Sequence, residues 1–342
     1  MSNDTSATLN TAETYTISYT GNVPAAGVTY TWSITSGDDS NHPHSFTGQG
    51  TASATFTYAD VGAVTIKCVI SSNVIAGNGQ STKTVTIAYN NTYEVRFDAS
   101  TAYGEFADNT ELTGWSDHDS DFTIAAWIKT PVDASKIAGA GGNIAFSIAH
   151  GALTSNFRAI DVKWAVSSNV VIGVTVNQLV VGSSAMISSG SVSNVANIGY
   201  DEMVFVAVSL DRDTNQMGVV LGRDGSVLDS TTTFPALTDP DPDLSSFTNI
   251  VLNRYGNDYH STSAISEMLF YNRVSSIAEM EDLYNSGTPF DYQRDNGDYN
   301  FSSSLQHYYR FGDGVDTRTG DFVINDLVNN NDLTIYNGES DS

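Results

Sequence analysis

Surfaces that hold sugars combine an aromatic face with polar neighbours able to hydrogen-bond hydroxyls. The run Arg254-Tyr255-Gly256-Asn257-Asp258-Tyr259-His260 offers that mixture in one stretch, which makes Arg254, Tyr255, Asn257, Tyr259 and His260 candidate glycan contacts. Trp115, in Gly114-Trp115-Ser116-Asp117, is another. Aromatics in such loops serve at least as often as lids over the edge of a core, and both readings stand. The closest acid pairs to a catalytic arrangement are Asp201-Glu202 and Glu279-Met280-Glu281-Asp282, the second with helical spacing that puts it on a wet face. Asp211-x-Asp213-x-Asn215 copies the start of an EF-hand loop, but Gln216 stands where glycine is needed and Gly222 where the bidentate acid belongs, so it reads as a hairpin turn. His42-Pro43-His44 lacks a third ligand, and His118 stands alone. No Gly-x-Ser-x-Gly elbow, His-Glu-x-x-His pair or phosphate-cradling glycine loop occurs. No catalytic residue is assigned, and the expectation is a binding protein that is not an enzyme.

Composition narrows the partners. A formal charge of −25 with only 14 basic residues lacks the positive footprint a nucleic-acid backbone requires. Such acidity maintains solubility where salt screens self-repulsion. No stretch has the length and apolarity of a membrane span. The opening Met1-Ser2-Asn3-Asp4-Thr5 shows neither a basic region nor an apolar segment, so no secretory leader is expected at this end. The single cysteine, Cys68, cannot form an internal disulfide and reads as a small buried hydrophobe.

The elements that must position the candidate residues are mostly short strands. With 342 residues a prior of about two domains applies. Residues 1–12 are small and polar and read as an arm or an interaction strand. Residues 13–90 contain five strand-like runs, Tyr15 to Tyr19, Val28 to Ile34, Ala52 to Tyr58, Val64 to Ser71 and Lys83 to Ala88, separated by turn chemistry at Gly21-Asn22, Ser36-Gly37-Asp38-Asp39 and Asp60-Val61-Gly62. That spacing implies a sandwich. Asn90-Asn91-Thr92 reads as the joint. From 91 to 342, runs such as Ile144 to Ile148, Phe157 to Ala165 and Val170 to Val176 suit antiparallel sheets, punctuated by a Ser/Gly/Asn-rich stretch around 182–199. The Asp239-Pro240-Asp241-Pro242-Asp243 run is a stiff extended loop. Ala264 to Tyr271 reads as a strand with little free face. Ser276 and Glu279 form a capping box that starts a short helix, Ile277, Met280, Leu283 and Tyr284 share its apolar face, and Gly287 stops it.

These motifs carry a resemblance. The strand, Tyr271-Asn272-Arg273 and the helix resemble the C-terminal signature of concanavalin A-like, laminin-G-type jelly rolls. Tyr93 to Ser100 resembles that family's opening strand, with Phe97-Asp98-Ala99-Ser100 in place of its usual LDGS. Asp121 to Lys129 is similar to its central FTIEAWVK strand, Met203 to Ser209 to WHHVAVS, and Arg223-Asp224-Gly225 to its DG hairpin. The tail 305–338 resembles a segment that usually opens such domains, and is expected to complete the sandwich from the other end. Upstream, Tyr30-Thr31-Trp32 and Ala54 to Ser72 resemble polycystic-kidney-disease (PKD) and other Ig-like modules, with Trp32 as the core tryptophan. The expected fold is therefore all-β: an N-terminal Ig/PKD-like β-sandwich, then a concanavalin A-like (laminin G-like) jelly-roll sandwich with one short helix near 276–286.

What the resemblance implies is display and binding. Jelly-roll glycosidases carry E-x-D-x-x-E on one strand, and that spacing is missing. The combination resembles virion proteins of tailed bacteriophages: capsid decoration proteins, head fibres or tail appendages. The implied partners are other virion proteins, in a homo-oligomer or multi-copy assembly, and cell-surface glycans, at the virion surface. The alternative is a bacterial cell-surface adhesin or polysaccharide-binding module placed outside the cell. Laminin-G-type domains often hold calcium at a loop rim, and hard cations favour oxygen ligands, which makes Asp98, Asp224, Asp239, Asp241 and Asp243 the candidate set. If calcium binds there, titrating metal-free protein with it raises the melting temperature; an unchanged temperature dismisses the site.

Overall fold

The computed structural model describes residues 6–8, 12–18, 27–36, 44–58, 62–72, 79–88, 94–97, 102–107, 121–133, 144–150, 158–167, 170–179, 186–192, 198–211, 213–214, 216–231, 250–252, 254–255, 259–260, 264–287, 290–293, 295, 298–311 and 319–341. The chain forms two compact units, Met1–Asn90 and Asn91–Ser342.

The first unit holds β1 (Ser6–Thr8), β2 (Ala12–Thr16), β3 (Val28–Ser36), β4 (Ser45–Thr47), β5 (Ser53–Thr57), β6 (Gly62–Ser72) and β7 (Gly79–Ala88). They make two sheets, ordered β1-β7-β6-β3 and β2-β5-β4. The period of two decides what is buried: Val64, Ile66 and Cys68 of β6 enter the core, while Thr65 and Lys67 stay outside it. Trp32 is 1% exposed and donates its indole N–H to the Thr51 carbonyl at 2.9 Å. On β3 the Trp32 backbone N–H donates to Gln49 Oε1 at 2.7 Å, and Gln49 Nε2 donates back to the Trp32 carbonyl at 3.1 Å. A side-chain amide thus stands in for a neighbouring strand and blunts an open sheet edge. Part of the polar arm is a strand: β1 runs parallel to β7, and Ala7 is buried.

The second unit begins with β8 (Glu94–Arg96), β9 (Tyr103–Phe106), β10 (Phe122–Lys129), β11 (Ile144–His150), β12 (Arg158–Ser167), β13 (Val170–Leu179) and β14 (Met186–Val192). It continues with β15 (Met203–Asp211), β16 (Gln216–Arg223), β17 (Ser226–Thr231), β18 (Ile250–Leu252), β19 (Arg254–Tyr255), β20 (Tyr259–His260) and β21 (Ala264–Tyr271). The helix α1 (Ile277–Tyr284) follows, then β22 (Leu305–Arg310), β23 (Thr319–Ile324) and β24 (Leu333–Asp341). One hydrogen-bonded path runs β14-β13-β12-β11-β18-β9-β24-β8-β21-β10-β15-β16-β17, with β22 added on β21 and β23 on β24. Both halves of this path feed one core: Phe106, Val162, Leu252 and Leu333 meet Ile124, Val206, Val219 and Phe270. The fold is an all-β jelly-roll sandwich.

The central strands have no wet face. Every residue of β21 is buried, as are all but one of β10 and all but the end residues of β15. Their second face is covered by a separate cluster, in which Trp127, Phe205, Leu269 and Tyr271 meet Met280, Leu283 and Tyr284 of α1. This explains the near-continuous apolar runs that replace strand alternation. Burying each such side chain contributes about 1.5–3 kcal/mol.

The capping box is complete: Ser276 Oγ accepts from the Glu279 N–H, and Glu279 Oε2 accepts from the Ser276 N–H at 2.8 Å. The helix stops earlier than the glycine implied. Asn285 takes the left-handed conformation at φ 45°, a geometry asparagine tolerates, and Gly287 at φ 86° closes the following turn. The Ser/Gly/Asn-rich stretch, expected to be punctuation only, contains β14, which pairs with β13. A ladder needs only backbone groups, so small polar residues do not prevent it. In the tail, β22 pairs with β21, and β24 pairs with β8 and β9.

Gly222 lies beneath the helix, where an added Cβ would sit 2.6 Å from the buried Tyr284 ring. Trp127 and Phe205 flank that ring and leave it no room to retreat. Gly222→Ala is expected to lower stability by about 1–3 kcal/mol, read as a lower denaturant midpoint with an unchanged slope.

Candidate functional site

The predicted aromatic loop folds as a ribbon. β19 and β20 pair antiparallel, with Arg254 opposite His260 and Tyr255 opposite Tyr259. Cross-strand partners lie about 5 Å apart at their Cβ atoms, so this register gathers four of the predicted contact residues at neighbouring positions. The spacing is what a short turn between two strands requires. Asn257 and Trp115 lie outside the described residues.

Of the calcium set, Asp98, Asp239, Asp241 and Asp243 lie outside the described residues. Asp224 sits in the β16–β17 hairpin turn at φ 51°, its side chain 84% exposed and 3.2 Å from Arg223 Nε. A guanidinium beside it serves the role a cation would have, and this residue by itself fits a turn. Among the described residues no group of three His, Cys, Asp or Glu side chains is gathered as a metal would need. Asp211 is likewise a turn residue: β15 and β16 pair Asp211 with Gln216, and Asp211 Oδ1 accepts from the Thr214 N–H at 2.9 Å.

The acid pairs are committed to separate cations or to backbone. Asp201 accepts from Arg96 at 3.0 Å and lies 3.4 Å from Lys129 Nζ, whereas Glu202 accepts from Arg223 at 2.8 Å. Glu94 is buried beside Arg96 and Lys129, at 2.7 and 3.0 Å. Burial pushes its carboxyl above the usual range, while Lys129 and Arg96 oppose that rise. Glu279 is occupied as the helix cap and held below its usual range, because the Ser276 and Arg273 hydrogen bonds outweigh its partial burial.

Asp326 is the most enclosed acid with a full set of partners. Its Oδ1 accepts the N–H groups of Tyr308 and Val328, at 3.1 Å each, and its Oδ2 those of Asn329 and Asn331 at 3.3 and 3.2 Å. His307 Nδ1 lies 2.8 Å from Oδ2. Burial alone would raise this carboxyl, but the His307 hydrogen bond and the backbone amides overcome it and hold it below the usual carboxylate range. The residue organises the loop that leads into β24.

One surface that motif reasoning passes over lies on the outer face of β9, β24 and β23. The register sets Tyr103 opposite Tyr336 and Glu105 opposite Thr334, with Val323 on the other side of Thr334. The rings of Tyr103 and Tyr336 stack with centroids 4.7 Å apart and planes at 20°. Desolvation, and next the nearby Glu105 carboxylate, push the Tyr336 hydroxyl above its ordinary range. Strand alternation marks each segment as half-buried, but the pairing that joins them is not visible in a linear reading.

No protein-family model matches this chain. No curated protein matches it in sequence. Among solved structures, similar ones include a candidate carbohydrate-binding protein from Bacteroides ovatus ATCC 8483, at 12% identity and TM-score 0.48, covering 98% of this chain and 95% of that one. A second is the Ruminococcus gnavus IT-sialidase CBM40 bound to α2,3-sialyllactose, at 13% identity and TM-score 0.39, covering 56% of this chain and 97% of that one. A third is tailspike protein 2 of the Escherichia coli O157:H7 bacteriophage CAB120, at 15% identity and TM-score 0.36, covering 58% of this chain but 25% of the tailspike.

Asp326→Asn replaces an oxygen that accepts backbone N–H groups by an amide that cannot, at an expected loss of at least about 2 kcal/mol at neutral pH. A folded-state value below the unfolded one means that the Asp326 contribution is present above about pH 4 and fades as pH falls through the depressed value. Urea melts of both proteins are therefore expected to converge in acid.

Proposed function

We propose that this chain is a non-enzymatic bacteriophage virion surface protein, a capsid decoration protein, head fibre or tail appendage, that docks on the particle and binds glycans. The observation that carries the glycan reading is the β19–β20 register, which brings Arg254, Tyr255, Tyr259 and His260 together in one short ribbon. Aromatic rings beside polar groups at neighbouring positions suit the alternating apolar and hydroxylated faces of a pyranose. The non-enzymatic reading draws support from Glu279, Asp326 and Glu94, whose carboxylates cap a helix, organise a loop and pair with Arg96. Catalysis by paired carboxylates needs two of them facing one reacting bond.

The virion reading rests on the family resemblance of the sequence. Its partners would be capsid or tail proteins, with many copies arranged on the particle. Among the described residues no helix is long and apolar enough to cross a membrane.

Two measurements test the proposal. Mass spectrometry of purified phage particles from the source is expected to detect peptides of this chain in stoichiometric amount; detection only in bacterial envelope fractions overturns the virion assignment. On a glycan array, Tyr255→Ala/Tyr259→Ala is expected to lose most of the wild-type signal at unchanged melting temperature. Signal retained by the double variant removes the ribbon from the site.

A further inference from the structure

The helix and its aromatic cluster cover the outer face of β10, β15, β16 and β21, and their members do not include the residues of β9, β23 and β24. On those three strands Phe106, Ile324, Leu333 and Ile335 enter the sandwich core. The period of two then assigns Tyr103, Glu105, Val323, Thr334 and Tyr336 to the opposite face. All of them retain exposure, and Val323 at 46% is one of three large apolar side chains classed as exposed among the described residues. Asp321 lies at the edge of the same patch, where its carboxylate accepts the Asn337 N–H at 3.1 Å.

The chemistry of this face is specific. A parallel tyrosine pair and an exposed valine offer apolar surface to the C–H side of a sugar ring. Glu105, Asp321 and Thr334 offer oxygen acceptors to equatorial hydroxyls. The charged members named here are both carboxylates, and the chain carries −25 overall, so a sulfated or sialylated chain would meet repulsion.

We infer that the outer face of β9, β24 and β23, with the stacked Tyr103 and Tyr336 at its centre, is the floor of an extended binding site for uncharged oligosaccharides. This rests on the glycan reading above and adds to it the floor and the ligand class. A sheet face spans several strands at about 4.8 Å each, and therefore accommodates more than one sugar ring.

Isothermal titration of the full chain with cellohexaose, chitohexaose and sialyllactose tests it. At least one of the two neutral hexamers is expected to bind, and more tightly than sialyllactose. Tyr336→Ala and Tyr103→Ala are each expected to weaken that binding about tenfold, equivalent to about 1.4 kcal/mol. Tyr336→Phe retains the ring, folds with the same packing and is expected to lose less. Glu105→Gln is expected to weaken the neutral ligand while improving sialyllactose. Binding that is lost in Tyr255→Ala/Tyr259→Ala but unchanged in both floor variants overturns the floor and leaves the glycan reading standing. Preference for sialyllactose overturns the ligand class. Absence of binding by all three sugars, together with a blank glycan array, overturns both. Concentration-dependent self-association that Tyr336→Ala abolishes, without any sugar effect, assigns the face to a second copy of the chain and overturns the proposal.

Discussion

The Trp127 indole donates to the Tyr292 hydroxyl at 2.9 Å, and that hydroxyl donates to the Leu283 carbonyl at 3.1 Å, a relay that pins the segment after the helix, and the helix itself, to the central sheet. Tyr299 extends it, donating to the Tyr292 carbonyl at 2.7 Å and lying 3.2 Å from the Tyr271 hydroxyl. Each of these groups is buried, and a buried N–H or O–H without a partner is costly. Satisfied in series, they let aromatic rings of high apolar area cover a second face of the sheet. Three central strands are dry on both sides as a result. The outer surface of β9, β23 and β24, which that cluster does not include, keeps its tyrosines half-buried.

The acid-rich composition acquires a meaning from this arrangement. Charge kept outside stays hydrated, and self-repulsion at −25 is moderated by salt. Several carboxylates have structural work: Asp326 gathers four backbone amides and a histidine, Glu94 shares Arg96 and Lys129 with Asp201, and the half-buried Glu279 caps the helix. Such placements fix loops and termini. They leave recognition to the aromatic and hydroxyl-accepting surfaces.

Those surfaces share a logic. The β19–β20 register sets Tyr255 opposite Tyr259, and the outer sheet face carries a stacked tyrosine pair beside Glu105 and Thr334. In the first unit, Gln49 closes the β3 edge with its amide, which removes a template for unwanted strand addition.

Local and periodic features were legible from residues alone. Ser276 with Glu279 declares a helix start because both hydrogen bonds close within one turn, and the runs through Trp127, Val206 and Leu269 declare two-sided burial because no polar alternation interrupts them. Tyr255 and Tyr259 were legible as neighbours, and the β19–β20 register sets them opposite each other. β14 escaped notice because Ser and Gly carry no periodic signal, though their backbone pairs as well as any. Tyr103 and Tyr336 become one surface only through the β9–β24 ladder, and Asp326 becomes a hub only once a loop folds its amides around the carboxylate. The order of residues therefore determined the strand-rich composition, the capped helix and the aromatic run Arg254 to His260, since these depend on neighbours along the chain. Tertiary structure decided which faces stay wet and which acids are satisfied, because both depend on groups distant in sequence meeting across a sheet.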